Sequence, residues 1–519
     1  MHSESQDDPG AAKELADAHP DFIELVVEPE DQRIESWTRP FYLRCVDPKT
    51  IYIKFDDDIV FIAPDALRKL VDYRIDHPEP FVVFANTVNN SICDHIHQRI
   101  AAIGTQLGEI AYSSDEHLAL YDLDFVSYLH EEFLTAAKKG HTQKFKFGHW
   151  ILESFQRYSV NFFVFFGADW AEFGGYMPDE GDELWITTVG SKERDRPNHI
   201  CGNSLVVHYA FGAQREPLDT NTDYLARYTQ LAMASCNTIR TPISRESSSF
   251  REFKVVVGTP TLERKRNLEL LSRYILANQD WIDRWEIWTS EGHSEDPGTA
   301  QALQDAHPDF IKVVHHPRPI AWMTSFYKRC VDPKTIYIKC DDDIAFIDGP
   351  AIRNILETRV KVPKPFMVFA NTVNNVLCSH LHQKIGALGT DHGYVGYVSN
   401  DPIGYQSRPF VEHVHETFLE SAQNGLVSRF DFTNWYLTLY EYFSINFICW
   451  FGRDFAEFAG DVPTAEEAWL TTIRPKELGR PNMICGDAVV SHYAFYTQKQ
   501  HLDTTDILAR YERLADKET

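Results

Sequence analysis

The sequence predicts an α/β protein made of two tandem domains, each with a mixed, mostly parallel sheet. Three observations carry this. At 519 residues the chain is longer than one hydrophobic core usually grows. Long segments recur once, at a nearly constant offset. In the second copy, short apolar runs rich in Val, Ile and Trp alternate with helical patterns, which is the order of a sheet covered by helices.

The recurrence is direct. CVDPKTIYIK at Cys45–Lys54 returns unchanged at Cys330–Lys339, and VFANTVNN at Val83–Asn90 returns at Val368–Asn375. Farther on, DELWITT at Asp182–Thr188 answers EEAWLTT at Glu466–Thr472, and VVHYAF at Val206–Phe211 answers VSHYAF at Val490–Phe495. A period this long means whole domains. We expect a first repeat over 1–235, a linker over 236–251 containing the Ser-rich PISRESSS, and a complete second repeat over 252–519.

In the second repeat the elements follow in order. FKVVVG reads as a strand, TPT as a turn, Arg264–Ala277 as a helix and WEIWTS as a strand. Next come strands at Ile311–His315, Thr335–Ile347 (with a turn) and Pro365–Asn371, a long helical stretch, and a strand at Ser444–Phe451. The first repeat begins at DDPG (Asp7–Gly10), the counterpart of EDPG (Glu295–Gly298). It therefore lacks the opening strand–helix–strand unit, and we expect it to be inactive.

Composition narrows the function. Charged residues are 24% and apolar ones 43%, which is globular, and the formal charge of −26 repels phosphate backbones. Nucleic acid is therefore excluded as the main partner. No apolar run approaches the ~20 residues of a membrane helix, and Met1–Gly10 is polar and acidic with no leader pattern. As written the chain reads as cytoplasmic; a Golgi-lumen location follows if the N-terminus continues upstream to an anchor. The nine cysteines form no CxxC pair, which argues against a structural zinc module. Cys45/Cys330, Cys93/Cys378 and Cys201/Cys485 occupy matching positions in the two copies, which leaves lumenal disulfides open.

The sharpest chemical feature is IYIKCDDDIAFI, in which Asp341, Asp342 and Asp343 directly follow an apolar strand. Adjacent carboxylates repel unless a cation or solvent offsets them. Oxygen ligands suit Mg²⁺ or Mn²⁺, which also take phosphate oxygens. Asp56, Asp57 and Asp58 repeat the pattern in frame, so a chance acidic turn is the weaker reading.

A strand ending in Lys-x-Asp-Asp-Asp resembles the DXD motif of GT-A glycosyltransferases, closest to the β-1,3-galactosyltransferase/fringe-like group. The resemblance covers the second repeat from Lys254 to Tyr496 and rests on the order of several short motifs. It implies that Asp343 binds Mn²⁺ (or Mg²⁺) holding the diphosphate of a nucleotide-sugar, a UDP-sugar above all, with Asp341 and Asp342 also facing that donor. VVVGTPTLERKR then looks like the nucleotide-binding turn, with Thr259 and Arg264 on the diphosphate. His492 resembles the histidine that completes metal coordination. The acid pair Glu466–Glu467 resembles the site of the base that deprotonates the acceptor in inverting enzymes, and Glu467 is preferred because Glu183 repeats it. The implied function is sugar transfer to a hydroxyl of a glycan, glycoprotein or small-molecule acceptor.

Two other functions compete: a non-catalytic carbohydrate-binding or scaffold protein, and a sugar nucleotidyltransferase, for which glycines after the first strand are missing. Asn371, Asn374 and Asn375 could line the donor pocket, although Asn clusters also begin helices. Trp435, Trp450 and Trp469 could form a sugar platform, although tryptophan is more often core. His380 and His382 are too poorly aligned on a helix for zinc.

Overall fold

The computed structural model describes residues 13–14, 16–24, 26, 39–153, 156–177, 181–235, 250–262, 264–290, 298–316 and 322–518. The start of the first repeat at 7–10 and the linker up to 249 lie outside the described residues. The chain forms two compact units, Met1–Arg240 and Thr241–Thr519.

The second unit holds a sheet of β7 (Lys254–Pro260), β8 (Arg284–Ser290), β9 (Ile311–His316), β10 (Thr335–Cys340), β11 (Ile344–Ile347), β12 (Val368–Val373), β13 (Trp435–Tyr436), β14 (Phe447–Phe451) and β15 (Met483–His492). Their spatial order is β11-β15-β12-β14-β10-β7-β8-β9, with β13 on β15. Strands β7, β8, β9, β10, β12 and β15 run one way; β11, β13 and β14 run against them. β10 (TIYIKC) is buried along its whole length. The helix Lys265–Ala277 buries Leu268, Leu271 and Ile275, one stripe at helical spacing, in the same core as Val257 and Ile338.

The strand order creates a crevice. From β7 the chain steps outward to β8 and then β9, but β10 returns to the other edge of β7. The turns at the carboxyl ends of β7 and β10 therefore diverge at a topological switch point, where such sheets bind ligands. Both the acidic motif and the turn of Thr261 and Arg264 sit there.

Gly258 keeps this junction tight. A Cβ there would lie 2.4 Å from the Phe326 ring. That ring is itself buried against Trp288 and Trp450, so it cannot yield. We expect Gly258→Ala to cost about 1–3 kcal/mol through overpacking, read as a lower Tm; an unchanged Tm would show that the ring moves freely.

The first unit carries β1 (Ile51–Phe55), β2 (Ile59–Ile62), β3 (Val83–Val88), β4 (His149–Ile151), β5 (Phe162–Phe166) and β6 (His199–His208). Its order β1-β5-β3-β6-β2, with β4 on β6, matches β10-β14-β12-β15-β11 with β13 on β15. Even the irregularity is shared: the β3/β6 register shifts at Ala85/Asn86 and the β12/β15 register at Ala370/Asn371. Nothing among the described residues corresponds to β7, β8 and β9. As a result strands of both directions balance here, and β1 is only half-buried although Ile51–Lys54 is identical to Ile336–Lys339.

Candidate active site

The three aspartates after β10 have three different environments. Asp341 accepts from Lys339 and from Asn446 Nδ2 at 3.3 Å, and Lys339 Nζ also donates to the Ile445 carbonyl at 2.9 Å. Asp342 is buried, and both its oxygens are taken. Thr261 Oγ1 donates at 2.7 Å, the Leu262 amide at 3.2 Å, and the Arg264 guanidinium spans both oxygens. Burial pushes the Asp342 carboxyl up to about 6 against the pull of Arg264. Asp342 therefore latches the β7 turn to the β10 turn and is not directed at a ligand.

Asp343 is less fully engaged. Its Oδ2 lies 3.6 Å from His492 Nε2 and 3.7 Å from Arg264 Nη2. Burial alone would raise its pKa, but His492 and Arg264 outweigh it and hold the carboxyl below its ordinary value. His492 ends β15, opposite Ile344, which brings two residues distant in sequence together. Its Nδ1 meets the Asn374 carbonyl at 3.4 Å, which turns Nε2 towards Asp343. Burial lowers the His492 pKa, yet Asp343 outweighs burial and the net shift is upward.

The acid pair completes the cluster. Glu466 and Glu467 open a short helix, Glu466–Ala468, that runs into a π-helical turn at Trp469–Ile473. Such turns place side chains irregularly and recur at functional sites. Burial, with Asp341 and Glu467 nearby, pushes Glu466 up to about 7 although Lys339 opposes it. The Glu466 carboxyl faces the buried Tyr327 hydroxyl, as Asp182 faces Tyr42 in the first unit. Burial also raises Glu467, whose carboxylate faces the Tyr442 hydroxyl, with Lys339 and His492 in its electrostatic surroundings.

Beside Arg264 opens a cavity of about 240 Å³ lined by Arg264, Lys265, Arg266, Asn267, Tyr493 and Lys499, among others. It lies at the N-terminus of the helix Lys265–Ala277, so basic side chains and the helix dipole favour an anion there. A larger depression of about 520 Å³ in the first unit, around Glu131 and Thr220–Tyr224, contains none of the expected site residues.

Several expectations change. Thr259 has no exposed surface, and its hydroxyl accepts from Trp285 Nε1 at 2.9 Å, so it belongs to the core. Thr261, two residues on and just past the strand, is the threonine at the site; sequence reasoning missed it because β7 continues through Pro260. Asn371 spends its amide on Phe430, Gly486 and His382, and Asn375 caps the helix Val376–Lys384. None of the three asparagines is exposed, so they do not line a pocket. Trp435 and Trp450 are core. His380 and His382 are buried, His380 Nδ1 against the Val395 carbonyl and His382 Nε2 against Asn371, and they are not paired for zinc. The eight described cysteines are free thiols.

The first unit keeps the acids but neutralises them. Asp58 binds both His208 Nε2, at 3.2 Å, and Arg215. Glu183 accepts from Arg157 Nε at 2.6 Å, and Asp182 from Tyr42 at 3.0 Å. By repeat alignment Arg157 stands where the second unit has Tyr442, and Arg215 where it has Lys499, which pairs with Asp503 instead. Asp57 is exposed, and nothing among the described residues stands to it as the β7 turn does to Asp342.

No family model and no curated protein matches the chain. Solved structures with similarity include a mannosyltransferase from Pyrobaculum calidifontis in complex with GDP-Man and Mn²⁺ (12% identity, TM-score 0.31, covering 56% of this chain and 71% of that one). A 4-diphosphocytidyl-2C-methyl-D-erythritol synthase from Anaerococcus prevotii shows 11% identity and a TM-score of 0.27, over 51% of this chain and 99% of its own. A CMP:2-keto-3-deoxy-manno-octonic acid synthetase complexed with CTP shows 13% and 0.28, over 51% and 100%. Among the described residues no helix is long and apolar enough to cross a membrane.

Proposed function

We propose that the second unit transfers a sugar from a nucleotide-sugar, a UDP-sugar above all, to an acceptor hydroxyl with inversion, using a divalent cation, and that the first unit does not. The observation carrying this reading is the Asp343–His492 pair at the switch point, flanked by a basic cavity on one side and the Glu466–Glu467 pair on the other.

The residues fit a cation of limited demands. Ligand bonds of about 2.1 Å let one ion touch two atoms 3.6 Å apart. Among the described residues no three His, Cys, Asp or Glu side chains are grouped to hold an ion by themselves. Mg²⁺ and Mn²⁺ can fill their remaining positions with water and substrate phosphates. When bound, the ion would offset the charge that builds on the departing nucleoside diphosphate. Asp343 and His492 hold the diphosphate end, and the Arg264–Asn267 turn with its helix N-terminus receives the phosphate oxygens. Glu467, with its raised affinity for protons, removes the proton of the acceptor hydroxyl as that oxygen attacks in line.

Two expected results follow. With only two protein ligands, Mn²⁺ alone binds weakly and binds at least about tenfold more tightly in the presence of UDP; titration calorimetry with and without nucleotide measures this, and equal affinities would remove the proposed bridging. Because Glu467 must be ionised to act and burial raises its pKa, turnover rises with pH through an inflection above the ordinary glutamate value of 4.5. A pH–rate profile already flat at pH 5 would assign the base elsewhere. The founding experiment is nucleoside-diphosphate release from a panel of nucleotide-sugars with and without Mn²⁺.

A further inference from the structure

We infer that the acceptor subsite is a tyrosine-lined surface beside Glu467, formed by Tyr442 and Tyr405 with Phe495 behind them, and that it takes the apolar face of a neutral pyranoside. The inference rests on the transferase reading and adds the class of acceptor.

Of the three tryptophans that could form a sugar platform, Trp435 and Trp450 are core, and Trp469 is only partly buried. Tyrosines stand at the mouth instead. Tyr442 is 39% exposed, with its hydroxyl against Glu467. Tyr405 is half-exposed and lies in the electrostatic reach of Tyr442. Its ring centroid is 5.1 Å from that of Phe495, which is in turn 5.0 Å from His492. Phe495 and Tyr405 thus stand beside the histidine, and Tyr442 beside Glu467. Tyr440, two residues from Tyr442, is 64% exposed at the rim, under Lys476 at 4.9 Å.

The first unit supplies the contrast within one chain. Tyr442 is replaced there by Arg157, which closes on Glu183, and Tyr405 by Leu120. The scaffold is shared, so the fold does not require tyrosines at these two places. Partly exposed aromatic rings with polar tips suit the C–H face and hydroxyls of a sugar. The same surface faces Glu466, Glu467 and Asp341, with Lys339 buried beneath them. An acceptor bearing a carboxylate or phosphate would meet like charge, so the acceptor is neutral.

The test uses the full chain and saturation-transfer NMR with methyl glycosides of glucose, galactose and mannose, lactose, glucose 6-phosphate and a methyl glucuronide. We expect transfer to at least one neutral sugar, strongest at its ring C–H protons, and none to the two anionic ones. The signal should fall about tenfold in the Tyr442→Ala and Tyr405→Ala variants, and persist in Tyr442→Phe, which keeps the ring. Thermal melting of each variant separates loss of the surface from loss of the fold. Equal transfer to the anionic sugars, no transfer to any neutral one, or undiminished signal in both folded alanine variants overturns the inference. Sugar binding without nucleoside-diphosphate release from any donor would instead remove the transferase reading and leave the subsite standing.

Discussion

Asp343→Asn is expected to lower UDP affinity at saturating Mn²⁺ by about 100-fold or more, with the fold intact. Loss of a group that merely orients a metal ligand costs about 10–100-fold in affinity, so loss of a ligand itself costs at least that. Asn keeps the shape of the side chain but not its charge, and the His492–Asp343 interaction that holds the carboxyl below its ordinary pKa disappears. The matching change in the first unit, Asp58→Asn, is expected to leave affinity and turnover within about twofold, because Arg215 and His208 already engage its Oδ2 and nothing among the described residues corresponds to the β7 turn. Calorimetry on both variants decides. Unchanged UDP affinity in Asp343→Asn would remove the metal assignment, and comparable losses from both would make the chain bifunctional.

Glu467→Gln is expected to reduce turnover by about 10²–10⁴-fold while donor affinity stays within error, since the carboxylate acts on the acceptor proton and not on the diphosphate. Glu466 makes the comparison informative. It shares the charge cluster with Glu467, near Lys339 and Asp341, but faces the Tyr327 hydroxyl where Glu467 faces Tyr442. Burial, Tyr442, Lys339, Asp341 and His492 set the Glu467 pKa, and Glu466 is itself pushed up to about 7. Glu466→Gln should therefore leave the pH–rate inflection in place, with only a modest loss of turnover. If Glu466→Gln is the more damaging change, the base is Glu466 and Glu467 is its neighbour.

Much of the fold was legible because the two copies report on each other. Apolar β-branched runs gave β7, β8, β10 and β14 close to their observed bounds, and the helix after the first turn starts one residue later than expected, at Lys265. The site was less legible. Five carboxylates could be named from sequence, but their roles could not, because each role depends on what the carboxylate touches. Asp342 looks identical to Asp343 in the sequence, yet Thr261, Leu262 and Arg264 occupy it completely. Thr259 and Thr261 differ only in whether the strand has ended.

The sequence by itself determined the recurrence of its long segments, the α/β alternation and the acid-after-strand motif. These are local or self-referential properties: periodicity, composition and recurrence need no third dimension. Tertiary structure alone decided which aspartate faces the crevice, that His492 meets Asp343 across 149 residues, and that arginines close the first unit's acids while tyrosines flank those of the second. Each depends on strand order, because β7 and β15 are brought to opposite flanks of the β10 turn only when the sheet forms. A carboxylate's charge and reach are set by the neighbours that desolvate it or bond to it, and those neighbours lie far away along the chain.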